Sequence, residues 1–393
     1  MKKKIGFFIP LTLGMMAAFG PFVTDFYLPV MPEMGKFFNT NPALISLSLS
    51  AGMLGLAVGQ ILIGPLSDKY GRKKLLIISM ILFAIASLAC IFSTNIYIFN
   101  TMRLFQGISG AGGIVLSKSI STDMFSGRDL QKFMAIISAI NGIAPIIAPM
   151  LGGTIAHLVS WQGIFIILLA IGIILMIMSI FLKETLLPEK RSKGNIANIY
   201  SKLFKVFHNP IFTLSVLGIM FCFVTFFGYL SSSTFILQKT YGLSPFEYSL
   251  CFGLNAIIIS IGAILGGTFK HPNTILKWSS INMFIGTILV SICLVNHLSL
   301  TFLMLSYAYL MFSFGLMQAP ATAVALDSER QHAGAASASF GASCFLAGAI
   351  ASPLVSLGNM LISTSIVLTI GSLICMIISQ ILAKRIKRQA NQD

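Results

Sequence analysis

The chain has 393 residues, of which 56% are hydrophobic and only 9% charged, with a formal net charge of +15. Soluble globular proteins carry about 25% charged residues, and a water-soluble fold of this length has no way to bury so much apolar side chain. Soluble enzymes and soluble binding modules are thereby excluded, and lipid is the expected solvent.

The opening MKKKIGFFIP resembles the basic head of a signal peptide, but the apolar run behind it is too long and no A-x-A-like cleavage site follows, so a retained first span is expected. A bilayer core of about 30 Å needs about 20 apolar residues per helix. That length marks twelve candidate spans, at 6–28, 43–66, 75–94, 96–120, 132–156, 162–182, 210–235, 246–268, 277–297, 299–322, 334–356 and 361–383. Very short connectors near 299 and 358 predict antiparallel helix hairpins. With the N-terminus in the cytoplasm, the cytoplasmic segments collect Lys2 to Lys4, Lys69, Arg72 to Lys74, Arg128, Lys132, the basic residues from Lys183 to Lys205, Lys270, Lys277, Arg330 and Lys384 to Arg388. Only Lys36 and Lys239 fall on the other side, and Arg103 and Lys118 lie within helices. This is a positive-inside pattern with both termini cytoplasmic. The net charge therefore reports topology and contact with anionic lipid, and no nucleic-acid partner is expected.

The longest polar connector, 184–209, separates an N-terminal six-span bundle (1–183) from a C-terminal bundle with a basic tail (210–393). Ile196, Ile199, Tyr200, Leu203 and Phe207 recur within it at helical spacing, which predicts a helix lying on the membrane surface; the alternative is a flexible linker. The six cysteines sit inside apolar runs without ligand spacing and read as small buried hydrophobes rather than a metal site.

Four stretches carry chemistry. In span one, FGPFVTDFYLPVMP sets Asp25 inside an otherwise apolar run, where a charge at membrane depth costs at least ~2.5–3.5 kcal/mol. The loop GPLSDKYGRKK, residues 64–74, combines glycines able to make a tight turn with Asp68 and four basic groups. On span four, Arg103, Gln106, Gly107 and Gly110 share one helix face. An arginine there must point inward and find partners, and Asp25 is the evident counter-charge. On span five, Asn141, Pro145, Pro149 and Gly153 recur every four residues, a thin and bendable stripe.

The pattern G-x-x-x-D-[RK]-x-G-R-[RK], met by Gly64, Asp68, Lys69, Gly71, Arg72 and Lys73, resembles the signature loop of the major facilitator superfamily. Arg103, Gln106 and Gly107 are similar to its R-x-x-Q-G element, and NGIAPIIAPMLGG (141–153), which ends on Gly152 and Gly153, to the motif of its antiporter branch. TDFYLP in span one, APIIAP in span five, Ser160–Trp161 and KETLLPE after span six most resemble the Bcr/CflA type of drug:proton antiporter. The resemblance spans the chain, although the matching loop of the second half, GGTFKHPNTILK, lacks the acid. It implies an all-α integral membrane fold of twelve transmembrane helices in two pseudo-symmetric six-helix bundles that rock about a central site. It also implies that Asp68 meets the start of span eleven near Ala333–Ala335 when the cytoplasmic side is closed.

The expected function is export of a small molecule, a drug or a metabolite, in exchange for protons. No P-loop occurs, so an ion gradient must drive any uphill transport, and no cofactor is expected. One proton moving inward gains ~1.4 kcal/mol per pH unit and ~2.3 kcal/mol per 100 mV. Burial favours a neutral acid and a neighbouring guanidinium favours a carboxylate, so Asp25 with Arg103 is the candidate proton-coupling pair. Phe22, Gln106, Gly110, Phe226, Asn255 and Tyr307 are candidates to line the substrate cavity, together with Phe227 and Tyr229. The expected partners are a small-molecule substrate, protons and membrane lipid, and the protein is expected to act as a monomer. The alternatives are a proton-coupled importer or passive facilitator and, more remotely, a membrane receptor or integral membrane enzyme, for which no catalytic constellation is found at membrane depth.

Overall fold

The computed structural model describes residues 8–191, 200, 203–269, 272–329 and 333–389. Among them there is no strand. The first span is broken into α1 (Phe8–Ala17), α2 (Phe19–Thr24), a short turn of helix at Leu28–Val30, and α3 (Met31–Phe37). There follow α4 (Pro42–Tyr70), α5 (Arg72–Ile91), α6 (Ile96–Met124), α7 (Gly127–Leu158) and α8 (Gln162–Phe181). The second half holds α9 (Pro210–Phe235), α10 (Pro245–Thr268), α11 (Pro272–Val295), α12 (Leu300–Ser328), α13 (Ala333–Leu354) and α14 (Met360–Gln389).

The sequence sets these boundaries chemically. Asn41 and Asn95 cap α4 and α6 by accepting from the Leu44 and Tyr97 amides, and Asn209 caps α9. Ser244 and Glu247 close a reciprocal capping box over α10. Among the described residues nine helices are long and apolar enough to cross a membrane, and the bent first span makes ten. Helix α6, of 29 residues, is long enough but more polar, and α7, of 32 residues, is long enough and holds the apolar stretch Ile143–Ile155. Together these match the twelve segments expected. The first span bends by 44° after Ala17, and Pro21, Pro29 and Pro32 remove amide donors along it.

In lipid, helices associate through close backbone approach at small residues. A Cβ added at Gly107 of α6 would lie 2.1 Å from the Gly52 carbonyl of α4, and one at Gly55 would lie 2.2 Å from the Leu104 carbonyl. The second half repeats the device between α10 and α12, where Gly262, Gly266 and Gly315 each face a backbone carbonyl at 2.2–2.5 Å. Contacts repeat as well: α4–α6, α5–α6 and α5–α8 in the first half correspond to α10–α12, α11–α12 and α11–α14 in the second.

The two sets of helices meet chiefly along two pairs, α4 with α13 and α7 with α10. Along α4–α13, Ser46 bonds Ser356 (2.8 Å) and its carbonyl accepts from Ser352 (2.9 Å). Met53 lies against Gly348 and Gln60 against Gly341. From Met53 to Gln60 a seven-residue step along α4 is matched by a seven-residue step back along α13, and continuing that register leads from Asp68 towards the start of α13. At the end of the molecule carrying residues 64–74, the basic end, the connector touches both helices. Tyr200 donates to the Leu62 carbonyl (3.0 Å) and Ser339 to the Leu203 carbonyl (3.3 Å). Ile196 and Ile199 of the expected surface helix lie outside the described residues.

Because a side chain at Gly107 would push directly on backbone, Gly107→Val is expected to part α4 from α6 and to lower Tm, by roughly the 1–3 kcal/mol of overpacking. Gly334→Ala, where an added Cβ meets nothing within 4 Å, is expected to leave Tm unchanged. Thermal unfolding of the two purified variants measures both, and equal Tm values would contradict this packing.

Candidate functional site

The break in the first span leaves α2 ending in the protein interior, and a helix end has carbonyls without intrahelical partners. Arg103 of α6, fully buried, meets that need. One guanidinium nitrogen donates to the Val23 carbonyl at 2.6 Å and another to the Gln106 side-chain oxygen. The guanidinium also lies 4.4 Å from the Tyr27 ring centroid and 5.7 Å from that of Phe165 in α8. A cation suits a helix C-terminus, and a desolvated cation–π contact is worth about 2 kcal/mol. Gln106 relays the contact to α5 by donating to Ser87 (2.7 Å), while Tyr27 bonds Ser48 of α4 (3.0 Å). One arginine thus ties the broken span to four helices.

Arg103 is not the ion-pair partner of Asp25 that the sequence suggested. Among the described residues no cation lies within ion-pairing distance of that carboxylate, because the guanidinium is already engaged by the carbonyl two residues earlier. Asp25, 4% exposed, caps the C-terminus of α2. Its Oδ1 lies 2.6 Å from the Thr24 hydroxyl, which lies 3.0 Å from the Gly20 carbonyl.

Around Asp25 the two halves converge. Gly152 of α7 packs on the Phe26 carbonyl, and Gly153 packs on Pro245 and Ser249 of α10. Thr234 and Gln238 donate to the Leu28 and Pro29 carbonyls at 2.7 and 2.9 Å. Tyr248 of α10 is within electrostatic reach of the carboxylate. It starts a buried polar cluster in the second half: its hydroxyl lies 3.4 Å from Ser233, Asn255 donates to Tyr229 (2.8 Å), and Tyr229 packs edge-on against Tyr307 at 4.8 Å between centroids. The Asn255 side-chain oxygen and the Tyr307 hydroxyl are buried without hydrogen-bond partners, so this cluster retains capacity to bind a polar group.

Of the other cavity candidates, Phe22 packs edge-on against Phe26 at 5.7 Å and Phe226 stacks on Phe314 at 4.5 Å. Gln106 and Gly110 are placed behind α2, Gly110 among Val23, Phe19 and Phe83. Pro149 is buried and Pro145 partly so, and the residue after each, Met150 and Ile146, faces Gly253 of α10. The Asn141 side chain lies outside the described residues. Tyr248, Ser233 and Tyr27 had no sequence signal to separate them from packing residues. Lys118 was noted only as a basic residue in a helix; it is exposed and within electrostatic reach of Cys344 on α13.

At the basic end, the loop of residues 64–74 is fastened within the first half. Gly71 turns with φ +98°, and a Cβ there would lie 2.5 Å from a Glu184 carboxylate oxygen. Glu184 accepts from the Arg72 and Lys73 amides at 3.0 and 3.3 Å. Arg72 pairs with Asp68 (2.5 Å) and Asp123 (3.1 Å), and Lys73 donates to the Ile180 carbonyl (2.7 Å). Gly64 packs near Val115, and Lys69 lies 5.7 Å from the Tyr70 ring centroid. The described ion-pair partner of Asp68 is Arg72. Its expected neighbour at Ala333 has a side chain outside the described residues, and the adjoining Gly334 has open space beside it.

A helical membrane fold with two repeating halves, a broken first span and buried polar groups where the halves meet is the architecture of a secondary transporter. The Major Facilitator Superfamily profile matches residues 12–353, and the chain belongs to that family. It is 36% identical over 353 residues to an uncharacterized MFS-type transporter, YdgK, of Bacillus subtilis (strain 168), covering 88% of each chain. It is 26% identical over 389 residues to a bicyclomycin resistance protein homolog of Haemophilus influenzae, covering 96% of each, in line with the Bcr/CflA resemblance. The fold is also similar to a partially occluded inward-open xylose transporter, XylE, from E. coli, with TM-score 0.74 at 14% identity, covering 96% of this chain and 97% of that one. The protein is thus a multi-pass membrane transporter rather than an enzyme.

Arg103→Ala is expected to release the end of α2, leaving the Val23 carbonyl buried and unpaired at a cost of about 1–3 kcal/mol. Arg103→Lys, which keeps the charge but loses the planar fork, should be intermediate. Labelling of a cysteine at Val23 by a membrane-permeant reagent should rise in the order Arg103, Lys, Ala, and equal labelling would rule out the clamp.

Proposed function

We propose that the protein exports a small molecule in exchange for protons by alternating access of its two halves, with Asp25 as the proton carrier. The observation that supports this most is the Thr24–Asp25 geometry. The Thr24 hydroxyl has one proton and two acceptors in reach, Gly20 O and Asp25 Oδ1. Both contacts become full hydrogen bonds when Thr24 donates to Gly20 and a protonated Asp25 donates to Thr24. A carboxyl without a described cation partner is well suited to being neutral in this closed geometry and to releasing its proton when the halves part and water enters. Arg103 then acts as a positioning residue, holding the break where Asp25 sits.

The basic end is read as cytoplasmic from the distribution of Lys and Arg, with both termini inside, and the bacterial relatives support a bacterial cytoplasmic membrane as its location. The halves are taken as 1–183 and 210–393, joined by the 184–209 connector, and the working unit as a monomer without a cofactor. The drug-resistance name of one relative and the Bcr/CflA resemblance favour antibiotics or metabolites as cargo. Lys118, facing α13 with no described acid in ion-pairing range, favours neutral, zwitterionic or weakly anionic cargo over cations.

Asp25→Asn keeps the shape and removes the titrating proton. It is expected to abolish gradient-driven transport in proteoliposomes while leaving substrate exchange between equal pools. Full pH-driven accumulation by the variant would remove the carrier role.

Asp68 stands in register with the N-terminus of α13, where a negative charge gains about 0.3–2 kcal/mol from the helix dipole. Docking there would close the basic end. Asp68→Asn should reduce disulfide crosslinking between cysteines placed at Tyr70 and Gly334, because 1.4 kcal/mol shifts a two-state ratio tenfold. Unchanged crosslinking would show that Asp68 only holds Arg72.

A further inference from the structure

A second site lies away from the transport pathway, at the basic end between α11 and α14. These antiparallel helices bound a cavity of about 570 Å³. Helix α11 contributes Asn273 and Lys277 one turn apart, with Trp278 beside them. Helix α14 contributes Gln380, Lys384 and Lys387, spaced four and three residues apart and so on one face. The Gln380 amide donates to the Lys277 carbonyl at 3.3 Å and braces the junction. Lys277 Nζ lies 5.9 Å from the Trp278 ring centroid. Among the described residues none of the three lysines forms an ion pair, although three cations converge on one cavity. The Asn273 side-chain oxygen is buried there without a hydrogen-bond partner.

We infer that this cavity binds the headgroup of an anionic phospholipid from the leaflet at the basic end. Three ammonium groups around one cavity match a phosphodiester, which accepts several charge-assisted hydrogen bonds, and basic pockets between transmembrane helices suit acidic headgroups. The free Asn273 oxygen can accept from a headgroup hydroxyl. A lipid is favoured over free phosphate by what adjoins the lysines. Trp278 is 56% exposed, and an indole settles at the level of the headgroups. Beyond it, Ile285 of α11 and Ile377 and Ile381 of α14 are 43–48% exposed, an apolar face for acyl chains continuous with the basic cavity. The lipid would bridge the ninth and twelfth spans and hold the end of α14 against the bundle.

Trp278 reports on the site directly, since the other tryptophan, Trp161, is buried at the opposite end of the bundle. The full chain is titrated in mixed micelles with phosphatidylglycerol or phosphatidylcholine brominated on the acyl chains, and tryptophan quenching is followed. Half-maximal quenching is expected at about tenfold lower mole fraction of the anionic lipid. That preference should vanish in the Lys277→Gln, Lys384→Gln, Lys387→Gln triple variant and shrink when salt is raised, which screens exposed charges. All three lysines are exposed, so the triple variant retains its packing, and an unchanged Tm checks it. Equal quenching by both lipids in the wild type would overturn the proposal. So would a change in Trp278 emission with inorganic phosphate that comes without any preference for the anionic lipid, since the ligand would then be a soluble anion.

Discussion

Everything near the centre of this protein depends on one contact, the Arg103 guanidinium on the Val23 carbonyl. In a lipid-dissolved fold an open helix end is tolerated only where protein satisfies it, and a buried arginine only where it finds partners. Each of these two liabilities eases the other, with both terminal guanidinium nitrogens of Arg103 bonded and its Nε alone left without a hydrogen-bond partner. The broken first span can end in the interior because a cation awaits it, and the cation can be buried because carbonyl, amide and aromatic faces surround it. The same contact fixes where the chain turns, and Asp25 sits at that turn.

The surroundings follow from that placement. The turn at Asp25 to Pro29 is the part of the first half that the second half grips, through Thr234, Gln238 and the tight α7–α10 crossing at Gly152 and Gly153. The Asp25 carboxyl therefore lies beside the surface along which the two halves meet. At the basic end the corresponding contact is thinner. Beyond Gln60 and Gly341 the α4–α13 pair has space at Gly334, and the loop with Asp68 is fastened to its own half by Arg72, Asp123 and Glu184.

Much of the fold was legible in the sequence, because hydropathy and charge placement are strong signals in a membrane chain. The spans and the signature loop fall where composition puts them. The break in the first span was legible only as prolines. The Asp25–Arg103 pairing was misjudged for a physical reason: charges on paper attract, but a helix end in lipid also attracts a cation, and its carbonyl lay nearer. Gln106 and Gly110 share a face with Arg103, and that face turned out to hold the broken helix rather than an open cavity. Tyr229 and Tyr307 were among the cavity candidates, but Tyr248 was not, since a buried aromatic in a span looks the same in sequence whether it packs or binds. The repeat of the glycine contacts between α4–α6 and α10–α12 was hidden because the residues share geometry and not a motif.

The central claim is that Asp25, freed from Arg103, carries a proton in the closed geometry and loses it as the halves separate. Isotope-edited infrared spectroscopy of protein labelled at aspartate carboxyls in lipid bilayers tests it most directly. The account predicts one protonated-carboxyl band that is absent in Asp25→Asn, that disappears as pH is raised through the range in which transport operates, and that changes when substrate is added. A carboxylate band from Asp25 that persists at every pH in that range would contradict it, and would place the proton step elsewhere in the protein.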